Sequence, residues 1–234
     1  MGVIAGANIN DNGLIFSLDA ANFRSYSGSG LTSFGLVGGI GGTLVNGVGF
    51  TSSNSGSFIF DGTNDYILNP DTTLLTFGTN PFTVITWIYP NNDISIRTIL
   101  SNYLDYNTDY SSYFYLGIYT YNVLSMTNKV LILASGGNFI NNSFGADIDV
   151  NTWSCVSFTK SGDNFICYKN GLQVSSATSS NNNFSGTRTA KIGGGVASLS
   201  YFPGNISQVQ LYNRALTAKE IKQNYNATKK RYGL

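Results

Sequence analysis

Short runs in which apolar and polar residues roughly alternate recur along most of the chain, and turn-forming residues break them before they reach helical length. On that pattern Gly13–Leu18, Ser57–Phe60, Tyr66–Asn69, Phe82–Tyr89, Thr98–Ser101, Tyr113–Thr120, Lys129–Ala134, Trp153–Lys160, Phe165–Lys169, Ala190–Ile192 and Ile206–Tyr212 read as strands. Strands at such spacing, joined by turns rich in Gly, Ser, Thr and Asn and never alternating with helices, predict an all-β fold. Its form is a two-sheet antiparallel β-sandwich, a jelly roll. The stretches 25–54 and 175–186, rich in Gly and Ser or in Ser and Asn, read as surface loops. The one helical signal comes last. Thr217 stands at an N-cap, Glu220 three residues on completes a capping box, and Leu216 can staple against Ile221, so a helix is predicted over about 218–228. Only Ile221 and Tyr225 give it an apolar stripe, so it must lie on a larger body.

With 234 residues, the chain suits a single domain spanning 1–234, large enough to bury a substantial core without staples. Charged residues make up 11% and nearly cancel at +1, which gives no footing for nucleic acid. No apolar stretch approaches the ~20 residues of a membrane span. The two cysteines, Cys155 and Cys167, flank the turn at Ser161–Asn164 on strands predicted to be neighbours. Register decides whether their sulfurs can meet, and two buried free thiols are the simpler expectation.

Histidine is absent, which removes Ser-His-Asp and Cys-His nucleophile systems and most zinc sites. Glu220 is the only glutamate and is committed to the capping box, so a paired-glutamate glycosidase cannot be built, and no enzymatic activity is expected. The glycines at 38, 39, 41 and 42 lack the spacing of a phosphate loop. One segment does carry possible binding chemistry. In 102–111, Asp105, Asn107, Asp109 and Ser111 alternate as the oxygen ligands of a calcium loop do, which makes Asp105, Asn107 and Asp109 the candidate metal ligands. Tyr110 replaces the turn glycine of such a loop and Leu116 its bidentate glutamate, so calcium is the only cofactor admitted and a solvated polar loop is the alternative.

Tyrosine concentrates in the same region, with seven of fifteen between Tyr103 and Tyr121. An exposed tyrosine offers a flat apolar face and a hydroxyl, so Tyr103, Tyr106 and Tyr110, with Asp105, Asn107 and Asp109, form the candidate ligand-binding loop. Tyr113, Tyr115, Tyr119 and Tyr121 would share one strand face, where ordinary strand packing is one reading; the other makes Tyr113 and Tyr115 the candidate interface residues of a homo-oligomer, since a nearly neutral, aromatic-rich surface lacks the self-repulsion that keeps copies apart.

An ordered series of landmarks carries a resemblance. It comprises Gly13–Asn22 (GLIFSLDAAN), Gly42-Thr43-Leu44, Phe58–Tyr66 (FIFDGTNDY), Pro81–Val84 with Trp87, Trp153, Tyr168-Lys169-Asn170-Gly171, and the closing FPGNISQVQLYNRALTAKEIKQNY from Phe202. In that order they resemble the laminin-G-like, concanavalin A-type jelly-roll domains found in phage and bacterial surface proteins. The resemblance implies a non-enzymatic structural protein on a phage virion surface, such as a capsid decoration, head fibre or tail-associated protein. It would contact other virion structural proteins and possible host cell-surface glycans. The alternative it implies is a stand-alone carbohydrate-binding, lectin-like adhesion module, extracellular or on a cell surface. Ser207 and Gln208 replace an acidic pair common in the family's last strand, which argues against a structural ion near Asp19 or Asp61.

Overall fold

The computed structural model describes residues 8–91, 97–102, 114–119, 129–133, 144–180, 182–195 and 200–234. Among these residues, sixteen strands form two antiparallel sheets of eight. The first sheet runs β14 (Leu172–Thr178), β13 (Asn164–Lys169), β12 (Ser154–Ser161), β7 (Phe82–Pro90), β16 (Pro203–Tyr212), β5 (Ser57–Asp61) and β4 (Gly49–Thr51), and β1 (Leu14–Asp19) pairs with the far half of β16. The second runs β11 (Ala146–Asp147), β10 (Lys129–Leu133), β9 (Tyr115–Tyr119), β8 (Arg97–Ser101), β15 (Ala190–Ile192), β6 (Tyr66–Asn69), β3 (Gly42–Val45) and β2 (Thr32–Ser33). Their inner faces share one core, in which Phe58, Phe60, Phe82, Val84 and Phe158 meet Leu44, Ile67, Leu100, Leu116 and Ile192.

The alternation that predicts β16 breaks in the middle for a structural reason. The pairing of β16 with β7 slips between Ile206 and Gln208, so Ser207 is a bulge residue and Ile206, Val209 and Leu211 all reach the same core. Two of the predicted loops contain strands. The 25–54 stretch holds β2, β3 and β4, two to four residues each, too short for an alternating signature. In 175–186, β14 runs through Thr178; this edge strand has no buried residue, and Ser175, Ser176 and Thr178 leave its end without a clear apolar alternation.

A second apolar cluster lies on the outer face of the first sheet, beneath α1 (Ala218–Thr228) and the 3-10 turn Lys229–Tyr232 that follows it. The capping box is present as the sequence predicts. Glu220 N–H donates to Thr217 Oγ1, and Thr217 N–H donates to the Glu220 carboxylate at 2.7 Å. Leu216 and Ile221 are both buried in the cluster, where a staple places them. Trp87 joins helix to sheet: its indole N–H donates to Thr228 Oγ1 at 2.9 Å, and its ring stacks on Tyr232 at 3.9 Å.

Arg214 binds the Glu220 carboxylate at 2.7 and 3.1 Å, and this, with the Thr217 contacts, holds its pKa down at about 2 from 4.5. A carboxylate whose folded pKa is depressed contributes stability that is complete above its unfolded pKa and is lost as pH falls through the folded one. The melting temperature of the wild type is therefore expected to fall between about pH 4.5 and about pH 2 more steeply than that of Glu220→Gln. Parallel melting curves for the two proteins would show that this network does not hold the helix.

The cysteines stay apart because they face opposite sides of one sheet. Cys155 lies opposite Trp87 in the outer cluster, whereas Cys167 lies opposite Phe158 in the inner core, and neither is in a disulfide. Burial pushes the Cys155 thiol up to about 12. A disulfide-exchange reagent at neutral pH is expected to label neither thiol until denaturant is added; stoichiometric labelling of the native protein would contradict the packing.

Candidate functional site: a groove beside the helix

The helix covers only part of the outer face of the first sheet. Beside it, Ile59 on β5, Asn205 on β16 and Tyr89 on β7 stand opposite one another in a single row. Each alternates with a residue of the inner core, Phe58 and Phe60, Ile206, and Ile88 respectively, so the row points outward. Trp153 continues the row just before β12. Its ring lies 5.5 Å from that of Tyr89, at 52°, and 4.7 Å from that of Tyr232. Thr51, Ser53 and Asn54 form the other wall. The groove between them has a volume of about 350 Å³, within the range of small-ligand pockets.

Rigid local structure sets each of these groups. Trp153 follows a turn in which Asn151, at φ 55°, donates its N–H to Pro90 O at 2.8 Å. The β12 strand it leads into is tied by Asn170, whose Oδ1 accepts the Cys155 N–H at 3.0 Å. Asn205 Nδ2 donates to Ser57 Oγ at 2.9 Å, which orients the amide and leaves its Oδ1 without a partner among the described residues. The opposite wall is a 3-10 turn, Ser53–Ser55, in which Asn54 and Ser55 take φ values of 52° and 70°. Asparagine tolerates that region, but serine there costs on the order of 1 kcal/mol, and such conformations persist only where surroundings enforce them. Here the next residue is clamped: Gly56 O accepts from Ser207 Oγ at 2.6 Å, and Ser207 Oγ in turn accepts from Tyr232 O–H at 2.9 Å. The β16 bulge, the C-terminal turn and the groove wall are thus one connected unit.

Among the described residues, no charged side chain lines the groove. It offers two aromatic rings, an aliphatic side chain, two amides and hydroxyls. Such a surface can stack on an apolar ring face and exchange neutral hydrogen bonds.

Tyr103, Asp105, Tyr106, Asn107, Asp109, Tyr110 and Tyr113 lie outside the described residues. The two ends of their segment meet at Asn102, which donates its N–H to Phe114 O at 3.2 Å, accepts the Phe114 N–H on Oδ1 at 2.7 Å, and reaches Gly186 O through Nδ2. Tyr115, expected on an exposed interface, is instead only 4% exposed. Its hydroxyl accepts from Thr98 Oγ1 at 3.1 Å, and its ring lies close over Gly117, which has no side chain to displace it. The acidic positions of the FDGTNDY segment serve its turn. Asp61 Oδ1 accepts the Thr63 N–H at 2.7 Å, and Asp65 Oδ2 accepts the Asp61 N–H at 3.1 Å. Asp19 is neutralised by Arg231, which binds its carboxylate at 2.7 and 2.9 Å. Among the described residues, no cluster of three or more His, Cys, Asp or Glu could hold a metal.

Sequence reasoning did not find the groove. Tyr89 and Trp153 read as strand residues there, and Asn205 only as part of the closing landmark from Phe202. The available signal was an aromatic residue at the end of each of two strands that turned out to be neighbours.

A family model described as the concanavalin A-like lectin/glucanases superfamily matches residues 61–222. No curated protein sequence matches the chain. Among solved structures, domain 4 of AbnA, a GH43 extracellular arabinanase from Geobacillus stearothermophilus, in complex with arabinotriose, is similar at TM-score 0.61 and 16% identity, over 91% of this chain and 98% of that one. Trypanosoma rangeli sialidase in complex with sialic acid is similar at TM-score 0.67 and 15% identity, over 97% of this chain and 35% of the sialidase. The binding domain of botulinum neurotoxin DC, in complex with rat synaptotagmin II, is similar at TM-score 0.66 and 14% identity, over 94% of this chain and 52% of that one. The chain thus spans about a third of the sialidase and half of the toxin fragment.

Proposed function

We propose, since the chain belongs to the concanavalin A-like lectin/glucanases superfamily, that it is a carbohydrate-binding module whose groove beside the helix takes a neutral oligosaccharide and performs no chemistry on it. The observation that carries this reading is the uncharged row Ile59, Asn205, Tyr89 and Trp153 across a rigid sheet. The arabinanase domain, which matches over nearly its whole length, has a neutral trisaccharide bound, and this supports the class of ligand. Tyr89, which is partly exposed, supplies the ring face, Trp153, which is 8% exposed, backs it, and Asn205 Oδ1 and Asn54 supply polar partners. The test is an array of neutral oligosaccharides, arabinotriose included, probed with wild type and Tyr89→Ala. Signals present for the wild type and lost in the variant support the reading; a silent array for both retires it.

A second reading, a structural subunit of a larger assembly such as a virion surface, is favoured by one observation. Between residues 23 and 40, Phe23, Leu31, Phe34 and Ile40 are each at least half exposed, in a stretch whose only charge is Arg24. Large apolar side chains exposed this closely along the chain are the material of a contact site. The arabinanase and the sialidase named above come from Geobacillus stearothermophilus and Trypanosoma rangeli, and none of the three structures is described as part of a virion. Sedimentation that shows a monomer at every concentration, together with absence of the protein from purified particles, would remove this reading.

A further inference from the structure

A different cluster lies on the outer face of the second sheet. The middle residue of β15, Lys191, points away from the core, because Ala190 and Ile192 on either side of it are core residues. Its ammonium lies 5.1 Å from the centroid of the Tyr66 ring, and Tyr66 stacks on Tyr201 at 6.4 Å and 28°. Tyr201 is fixed from both sides: Phe202 N–H donates to Gly193 O, and Ser200 O accepts the Thr98 N–H, each at 2.9 Å. Lys191, Tyr66 and Tyr201 all remain partly exposed.

The position of this lysine is unusual in its charge balance. The row across the sheet that contains it, Leu68, Lys191, Ser101 and Tyr115, has no carboxylate, and among the described residues no ion pair neutralises the ammonium. Burial lowers its pKa, so the charge is partly withdrawn from water. A cation–π contact offsets only part of that cost. A partly desolvated cation without a counter-ion among the described residues, beside two stacked rings, is arranged to receive a negatively charged group attached to something flat enough to lie on tyrosine.

We infer that Lys191, Tyr66 and Tyr201 form a second ligand site, separate from the groove, for an acidic sugar. Lys191 pairs with its carboxylate or sulfate ester, and the tyrosines stack on its ring. This goes beyond the neutral-saccharide reading and does not depend on it, since the two clusters lie on the outer faces of different sheets.

The test is calorimetric titration of the wild type with trigalacturonate, with its uncharged methyl ester, and with a sulfated galacto-oligosaccharide. The acid or the sulfated sugar is expected to bind, more weakly as salt rises, and the methyl ester is expected to bind at least about tenfold more weakly, the scale of one charged hydrogen bond. Lys191→Gln should weaken binding by a similar factor, Lys191→Arg should retain it, and Tyr201→Ala should weaken it as well. Tyr89→Ala should leave it unchanged, which separates this site from the groove. Melting curves verify that each variant is folded, and Tyr201→Ala carries the test if Lys191→Gln is not. Binding by the acid alone identifies a carboxylate site, and by the sulfated sugar alone a sulfate site. Equal affinity for acid and methyl ester, no heat with any acidic sugar, or undiminished binding by a folded Lys191→Gln overturns the inference.

Discussion

Trp87→Ala is expected to destabilise the protein by about 3–5 kcal/mol, the range for removing a large aromatic side chain from a core. Trp87 is wholly buried and stacks between sheet and C-terminal turn. Its loss also deprives Thr228 Oγ1 of the indole donor. Against the roughly 5–15 kcal/mol that holds a typical domain together, such a loss takes about a fifth or more of the total. Trp87→Phe keeps a ring against Tyr232 and forfeits the hydrogen bond and part of the volume, so it should fall between. Urea unfolding followed by circular dichroism measures both. A loss under about 1 kcal/mol for Trp87→Ala, no more than an average substitution costs, would mean that the helix docks by other means.

Tyr89→Ala is expected to weaken binding of a neutral oligosaccharide by about 30-fold or more, the conversion of the roughly 2 kcal/mol typical of a central aromatic contact. The same change should cost the fold little, because Tyr89 is partly exposed and sits at the margin of the outer cluster. Trp153→Ala should weaken binding as well, but it removes packing against Tyr232 and lowers stability too. Calorimetry on Tyr89→Ala, with its melting temperature near that of the wild type, separates ligand contact from structural support. Unchanged affinity would place the ligand elsewhere.

The architecture was legible because the signals that specify it are local. Thr217 and Glu220 lie three residues apart, and the alternation of β7 or β12 lies within one strand, so each element announces itself from its own residues. The bulge at Ser207 was legible only as an unexplained spacing of three between Ile206 and Val209. Tyr115 misled because its alternation is that of a surface residue, whereas Gly117 on its own strand and Thr98 on the next make room and a partner for it. The groove was illegible for the same reason on a larger scale. Ile59, Tyr89, Trp153 and Asn205 lie on four separate segments, and only the order of strands in the sheet sets them side by side. Such long-range pairing leaves no mark within a single strand.

The central claim is that the outer face of the first sheet binds sugar at the groove beside the helix, and the chain's two tryptophans allow a direct test. Trp153 borders the groove, whereas Trp87 is sealed beneath the C-terminal turn. A nitrogen–proton correlation spectrum resolves their two indole signals, which Trp153→Phe assigns. On titration with a neutral oligosaccharide, the account predicts that the Trp153 indole signal shifts progressively to saturation while that of Trp87 stays in place. A saturable binding isotherm in which the Trp153 signal does not move would contradict it.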